Sequence, residues 1–154
     1  MALNLRDGRF LDVSGASGAD SPTDGRAAVY VDVDDDGDYD VFLKAMHGPA
    51  HFLYRNEVGQ DARSVRVALR GTKSGRDAFG AVVRLNTPAG VLARMKSGGS
   101  GYLSQNDPRL LFGLGDAERA EGLEVAWPSG LRERHAGPAA GASLLLVEGT
   151  GVAR

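Results

Sequence analysis

From residue 64 to residue 71 the chain alternates without a break: Val65, Val67 and Leu69 occupy one side, Arg66 and Arg70 the other. A period of two is the mark of a strand with one buried and one solvated face. The pattern recurs at Leu123, Val125 and Trp127, with Glu124 and Ala126 facing the opposite way. Further apolar runs predict strands at 81–87, 91–97, 110–114, 131–135 and 143–148. Pro88-Ala89-Gly90 and Pro128-Ser129-Gly130 supply tight connections between neighbouring runs. A single helical turn is predicted around 117–120. Residues 59–154 therefore read as an antiparallel β-sandwich or barrel.

The first third of the chain has a different texture. Short strands are predicted at 9–13, 27–33, 39–45 and 51–55, separated by the turn-rich stretches 14–18 and 21–25. Such spacing suits one propeller blade or a comparable sheet module. One blade cannot close a ring, so its edge strands are left to pair with something else. The predicted fold class is all-β: a propeller-blade-like repeat over 1–58 packed on or next to the sandwich of 59–154. The boundary falls near 59–63.

Composition narrows the classes. The 154 residues include 22 glycines, in keeping with many turns and few long helices. No apolar stretch approaches the roughly 18 residues of a spanning helix. Residues 1–10 carry Arg6, Asp7 and Arg9 and lack the apolar core of an export signal. Without cysteine, disulfides and thiolate metal sites are impossible. Net charge is −2, but residues 1–57 hold 11 acids and 5 bases while 58–154 hold 9 and 13, giving −6 and +4. The bases are scattered singly, as on a solvated sheet face, and form no footprint for nucleic acid.

The acids concentrate in Asp32-Val33-Asp34-Asp35-Asp36-Gly37-Asp38-Tyr39-Asp40. Carboxylates crowded in this way repel one another unless a cation intervenes. Calcium, which takes six to eight oxygens at about 2.3–2.6 Å, answers the need better than magnesium, which seldom uses an all-protein cage. Odd spacing lets Asp32, Asp34 and Asp36 turn toward a common centre, with Asp35 facing outward. Gly37 supplies the backbone angle that reverses the chain. Asp38 would offer its carbonyl, and Asp40 would close the shell. The opening matches the EF-hand pattern, but the twelfth position is Leu43 and the flanks read as strands. The expected cofactor is Ca2+ in a loop between strands.

Other chemistry is thinner. The loop 96–109 offers Tyr102, Gln105, Asn106 and Asp107 as candidate ligand contacts. The plainer reading is a structural loop in which Asn106 and Asp107 cap backbone groups before Pro108. His47 and His51 flank Gly48 and Pro49, which rule out a helical metal pair. His135 stands alone on a predicted strand. Gly98-Gly99-Ser100-Gly101-Tyr102 is not a nucleophile elbow. Thr72-Lys73-Ser74 lacks the glycine that a phosphate loop places before its lysine.

Two resemblances join these observations. The acidic loop with its β flanks, preceded by Asn4-Leu5-Arg6-Asp7-Gly8-Arg9-Phe10 and followed by Leu53-Tyr54-Arg55-Asn56, resembles an FG-GAP or VCBS-type propeller repeat. The second copy departs after Asn56. Downstream, residues 65–74 and 97–109, Phe112-Gly113-Leu114-Gly115 and residues 123–130 resemble an ASPIC/UnbV domain, in the arrangement of the C-terminal part of cartilage-acidic-protein-like (CRTAC) proteins. That family tends to carry His where Leu111 stands. The resemblance implies an extracellular or periplasmic setting and a non-enzymatic, calcium-stabilised binding or assembly module of adhesion type. Its ligand would be a protein or a carbohydrate. An alternative is an enzyme with a pocket near 96–109 using carboxylate or metal-assisted acid–base chemistry. Another is a structural subunit that self-assembles into a homo-oligomer through unpaired sheet edges.

Overall fold

The computed structural model describes residues 1–5, 7–47, 51–58 and 62–153. Among these, thirteen strands and one helical turn make an all-β protein. Strands β1 (Ala2–Asn4) and β2 (Phe10–Asp12) form an antiparallel pair, and α1 (Ser14–Ser17) follows. Next, β3 (Gly25–Val31), β4 (Asp40–Ala45) and β5 (His51–Tyr54) make an antiparallel sheet in chain order, with the acidic loop as the β3–β4 connection.

The remaining strands are β6 (Arg63–Arg70), β7 (Val82–Thr87), β8 (Gly90–Met95), β9 (Leu110–Gly115), β10 (Gly122–Ala126), β11 (Arg132–Ala136), β12 (Ser143–Val147) and β13 (Val152–Ala153). They form a five-stranded sheet, β13-β11-β10-β7-β8, and a three-stranded sheet, β12-β6-β9. Every described pairing is antiparallel except β12 with β6. The alternation seen in the sequence becomes the core. Val65, Val67, Val83, Leu85, Phe112, Leu123, Val125 and Trp127 pack between the sheets, each at most 3% exposed. Thr87 pairs with Gly90 across the expected β7–β8 hairpin, and Trp127 N donates to Leu131 O across the turn at 128–130.

Some expectations are corrected. Residues 117–120 form no helix: Arg119 makes an isolated bridge with Ala139, and Ala120 N donates to Pro138 O. That tertiary pairing outcompetes a local preference too short to nucleate on its own. The helical turn lies instead at Ser14–Ser17, within a stretch that reads as turns, and ends at Gly18 in the left-handed region. Strands β1 and β13 are too short to carry a pattern. Most of the predicted boundary, 59–61, and Gly48 and Pro49 between the two histidines lie outside the described residues.

Two buried acids tie the sandwich together. Glu133 accepts from Gly151 N at 2.7 Å, Gly149 N at 3.2 Å and the Trp127 indole. Glu148 accepts from the backbone N–H groups of Thr72, Lys73 and Ser74 at 2.7, 2.7 and 2.9 Å, and from the Ser74 and Ser129 hydroxyls. Burial pushes the Glu148 carboxyl up, but the hydroxyl and backbone donors outweigh it and hold the group well below the usual carboxylate range. The Thr72-Lys73-Ser74 turn is therefore a nest of N–H groups after all, filled by the protein's own carboxylate.

Candidate functional site

The acidic loop leaves β3 after Val31 and returns as β4 at Asp40. Asp40, 1% exposed, holds its base: Oδ2 accepts from Val33 N at 3.0 Å and Oδ1 from Asn56 N at 2.8 Å. Gly37 reverses the chain at φ +100°, where an added Cβ would meet Ser64 Oγ at 2.4 Å. Asp35 sits in the left-handed region at φ +60°.

This geometry draws Asp32, Asp34 and Asp36 together, each offering an oxygen within 4.8 Å of the others. Asp32 Oδ1 and Asp36 Oδ2 are buried with no hydrogen-bond partner among the described residues. A buried carboxylate oxygen without a donor is costly, and a cation at the shared centre removes the cost. The donor set, hard oxygens only, fits calcium. Asp38 is also buried, and its N–H donates to Asp36 Oδ1 at 3.2 Å. Asp40 falls outside the three-carboxylate group, with both oxygens engaged by backbone donors. Asp34 is exposed and pairs with Arg55 at 2.9 Å.

Sequence pattern alone does not reveal what anchors the loop. Arg66 extends from the outer face of β6 to Asp32 Oδ2 and Asp35 Oδ1, both at 3.0 Å, with only 15% of its side chain exposed. It is not part of a solvated face. Arg109, just before β9, pairs with Asp107 at 2.7 Å and with Asp35, and donates to Asp32 O at 3.0 Å. Asp35 lies outside the three-carboxylate group and is held in a two-arginine clamp. The Arg109 guanidinium holds the Asp35 carboxyl low. Burial pushes Asp107 up, and the Arg109 hydrogen bonds more than reverse it. Tyr39 OH completes the anchor, donating to Arg109 O and accepting from Leu111 N, both at 3.3 Å.

The four candidates of the polar loop separate. Gln105, Asn106 and Asp107 line one cavity of about 390 Å3 with Tyr30, Tyr39, Arg94 and Lys96. Tyr102 lines another, of about 460 Å3, beside Arg26, Lys44 and Leu103. Asn106 and Asp107 cap backbone groups: Asn106 Oδ1 accepts from Tyr30 N at 3.0 Å, and Asp107 Oδ1 from Arg109 N at 2.8 Å. Asp107 N also donates to Tyr30 O at 2.8 Å, so the loop is stitched to β3. His47 pairs with Asp24 at 3.6 Å, and the His51 ring lies tilted against Phe42, with centroids 5.9 Å apart.

The fold and the site together define an all-β protein in which an acidic, oxygen-donor loop is held against a β-sandwich. Comparison with known sequences makes the assignment specific. The sequence model of the ASPIC and UnbV family matches residues 71–153, just over half the chain, and the chain belongs to that family. It is 39% identical over 109 residues, 69% of its length, to cartilage acidic protein 1 of Homo sapiens. It is 40% identical over 126 residues, 79% of its length, to cartilage acidic protein 1 of Xenopus tropicalis. The chain spans only 16% and 19% of those relatives.

Proposed function

We propose that this chain is a calcium-stabilised, non-enzymatic binding or assembly module working in an extracellular setting, with residues 1–58 as an FG-GAP or VCBS-type repeat. The observation that carries the proposal is the convergence of Asp32, Asp34 and Asp36 with two buried oxygens lacking donors. Calcium would relieve their repulsion and fix the β3–β4 connection against β6 and β9. The similarity to cartilage acidic protein 1 supports the extracellular setting, where millimolar calcium fills even a modest site. The acid–base alternative lacks its parts. Tyr102 lines a different cavity from Asp107, and a carboxylate held ionised by Arg109 is a poor proton donor.

Thermal unfolding in EDTA, then with graded calcium or magnesium, tests this reading. At calcium a hundredfold above Kd the site should add about 2.7 kcal/mol. For a protein of this size that is a rise of roughly 5–10 °C in Tm. Magnesium should do less, and Asp36→Ala should abolish the response. An unchanged Tm in the native protein would sink the calcium reading.

A further inference from the structure

The cavity of about 390 Å3 opens at the seam between β8 and β9, the edge strands of the two sandwich sheets. Of the three cations that line it, Arg94 and Lys96 come from the β8 side. Arg94 lies opposite Val83 on β7, and Lys96, two residues on, donates its N–H to Ala81 O. Cross-strand partners share a face. Val83 and Ala81 are fully buried, so both cations stand on the core-ward side of the sheet, where it runs out beside β9.

Neither cation has an ion-pair partner among the described residues. Lys96 is 6% exposed, and its one side-chain hydrogen bond goes to Pro108 O. Arg94 Nε donates to Leu111 O at 3.0 Å, which leaves the rest of its guanidinium fork available. Burial pulls the Lys96 ammonium down from its usual value, against the more distant pull of Asp107 and Asp77. Arg109 and Asp107, which also line the cavity, are spent on each other and on the acidic loop. A buried ammonium without a carboxylate is the complement of the metal centre, since here the missing charge is negative.

The size of the cavity bears on what carries that charge. Its volume is in the range of small-ligand sites, and a bare oxyanion would fill only part of it. Its neutral polar lining is hydroxyl and amide: Tyr30, Tyr39, Ser97, Ser100, Gln105 and Asn106. We propose that this cavity binds an acidic saccharide unit, a hydroxyl-bearing ring whose carboxylate or sulfate is held by Lys96 and Arg94. The proposal rests on the reading of the chain as a binding module and names the ligand class that module would take.

Calorimetric titration of the full chain in saturating calcium, with glucuronate, glucose 6-sulfate, glucose and inorganic sulfate, tests it. At least one charged sugar should bind, and the pair separates a carboxylate from a sulfate source. Glucose should bind about tenfold more weakly or worse, and Arg94→Gln and Lys96→Gln should each weaken the charged sugar by about tenfold or more. Should Lys96→Gln not fold, the exposed Arg94 decides the matter. The proposal is overturned if no charged sugar binds, if glucose binds equally, or if Arg94→Gln binds as the native chain does. Displacement of the sugar by an equal concentration of inorganic sulfate overturns it as well, in favour of a bare oxyanion site. Without binding, the cations serve only to keep the β8 edge from pairing with other chains. A calcium-dependent Tm rise without sugar binding defeats this inference alone. Sugar binding without the Tm rise defeats the calcium reading alone.

Discussion

Gly37 and Glu148 mark the two extremes of what single residues disclose. The turn at Gly37 is legible because its cause is local: six carboxylates in nine positions need a reversal, and glycine takes φ +100° at no steric cost. Glu148 is not legible, because its backbone donors lie 74 to 76 positions earlier, at 72–74. Its effect is nonetheless measurable. The folded carboxyl titrates below its ordinary 4.5, so its stabilisation is present above that pH and is lost as pH falls toward the folded value. Glu148→Gln should therefore cost about 1–3 kcal/mol at pH 7. The cost should shrink as pH drops below about 4.5, where protonation begins to weaken the native protein too. Urea unfolding at pH 7, 5, 4 and 3 compares the two slopes, and parallel curves would refute the assignment.

Among the elements, β6 is legible in the sequence to within one residue at each end and in the facing of its residues, but not in its surroundings. The alternation correctly placed Arg66 opposite Val65 and Val67. It could not show that the acidic loop, some thirty positions earlier, covers that outer face. Periodicity reports which side a residue takes, whereas burial on that side depends on contacts distant in sequence. The strands with a full period of alternation, β6 and β10, were legible for this reason, and the two-residue β13 was not. Arg66 also stands in for part of the charge that calcium would bring to Asp32. Arg66→Met should destabilise the metal-free protein by about 3 kcal/mol. It should destabilise the calcium-loaded protein less, so the calcium-induced rise in Tm should be larger in the variant than in the native chain. Equal rises in the two proteins would show that Arg66 and the ion act independently.

At the scale of the whole molecule, the −6 and +4 regions meet within the chain. Asp32, Asp35, Arg66 and Arg109 bring part of that imbalance together at the β6–β9 face. The acidic run was visible in the sequence and its partners were not, since single arginines carry no mark of which carboxylate they will meet. The one parallel pairing among the described residues, β12 on β6, has a different consequence. Ser143 lies beside Arg66 and Val147 beside Arg70, so each pairing on that side of β6 closes a loop of 77 residues. Long closures are slow to form. A ribosome delivering this chain from its N-terminus would leave that edge of β6 unpaired until β12 emerged. A chain ending at residue 141 should show no cooperative melting by circular dichroism. The open edge of β6 is thus a hazard of synthesis, a strand left without its neighbour until 77 further residues have been made.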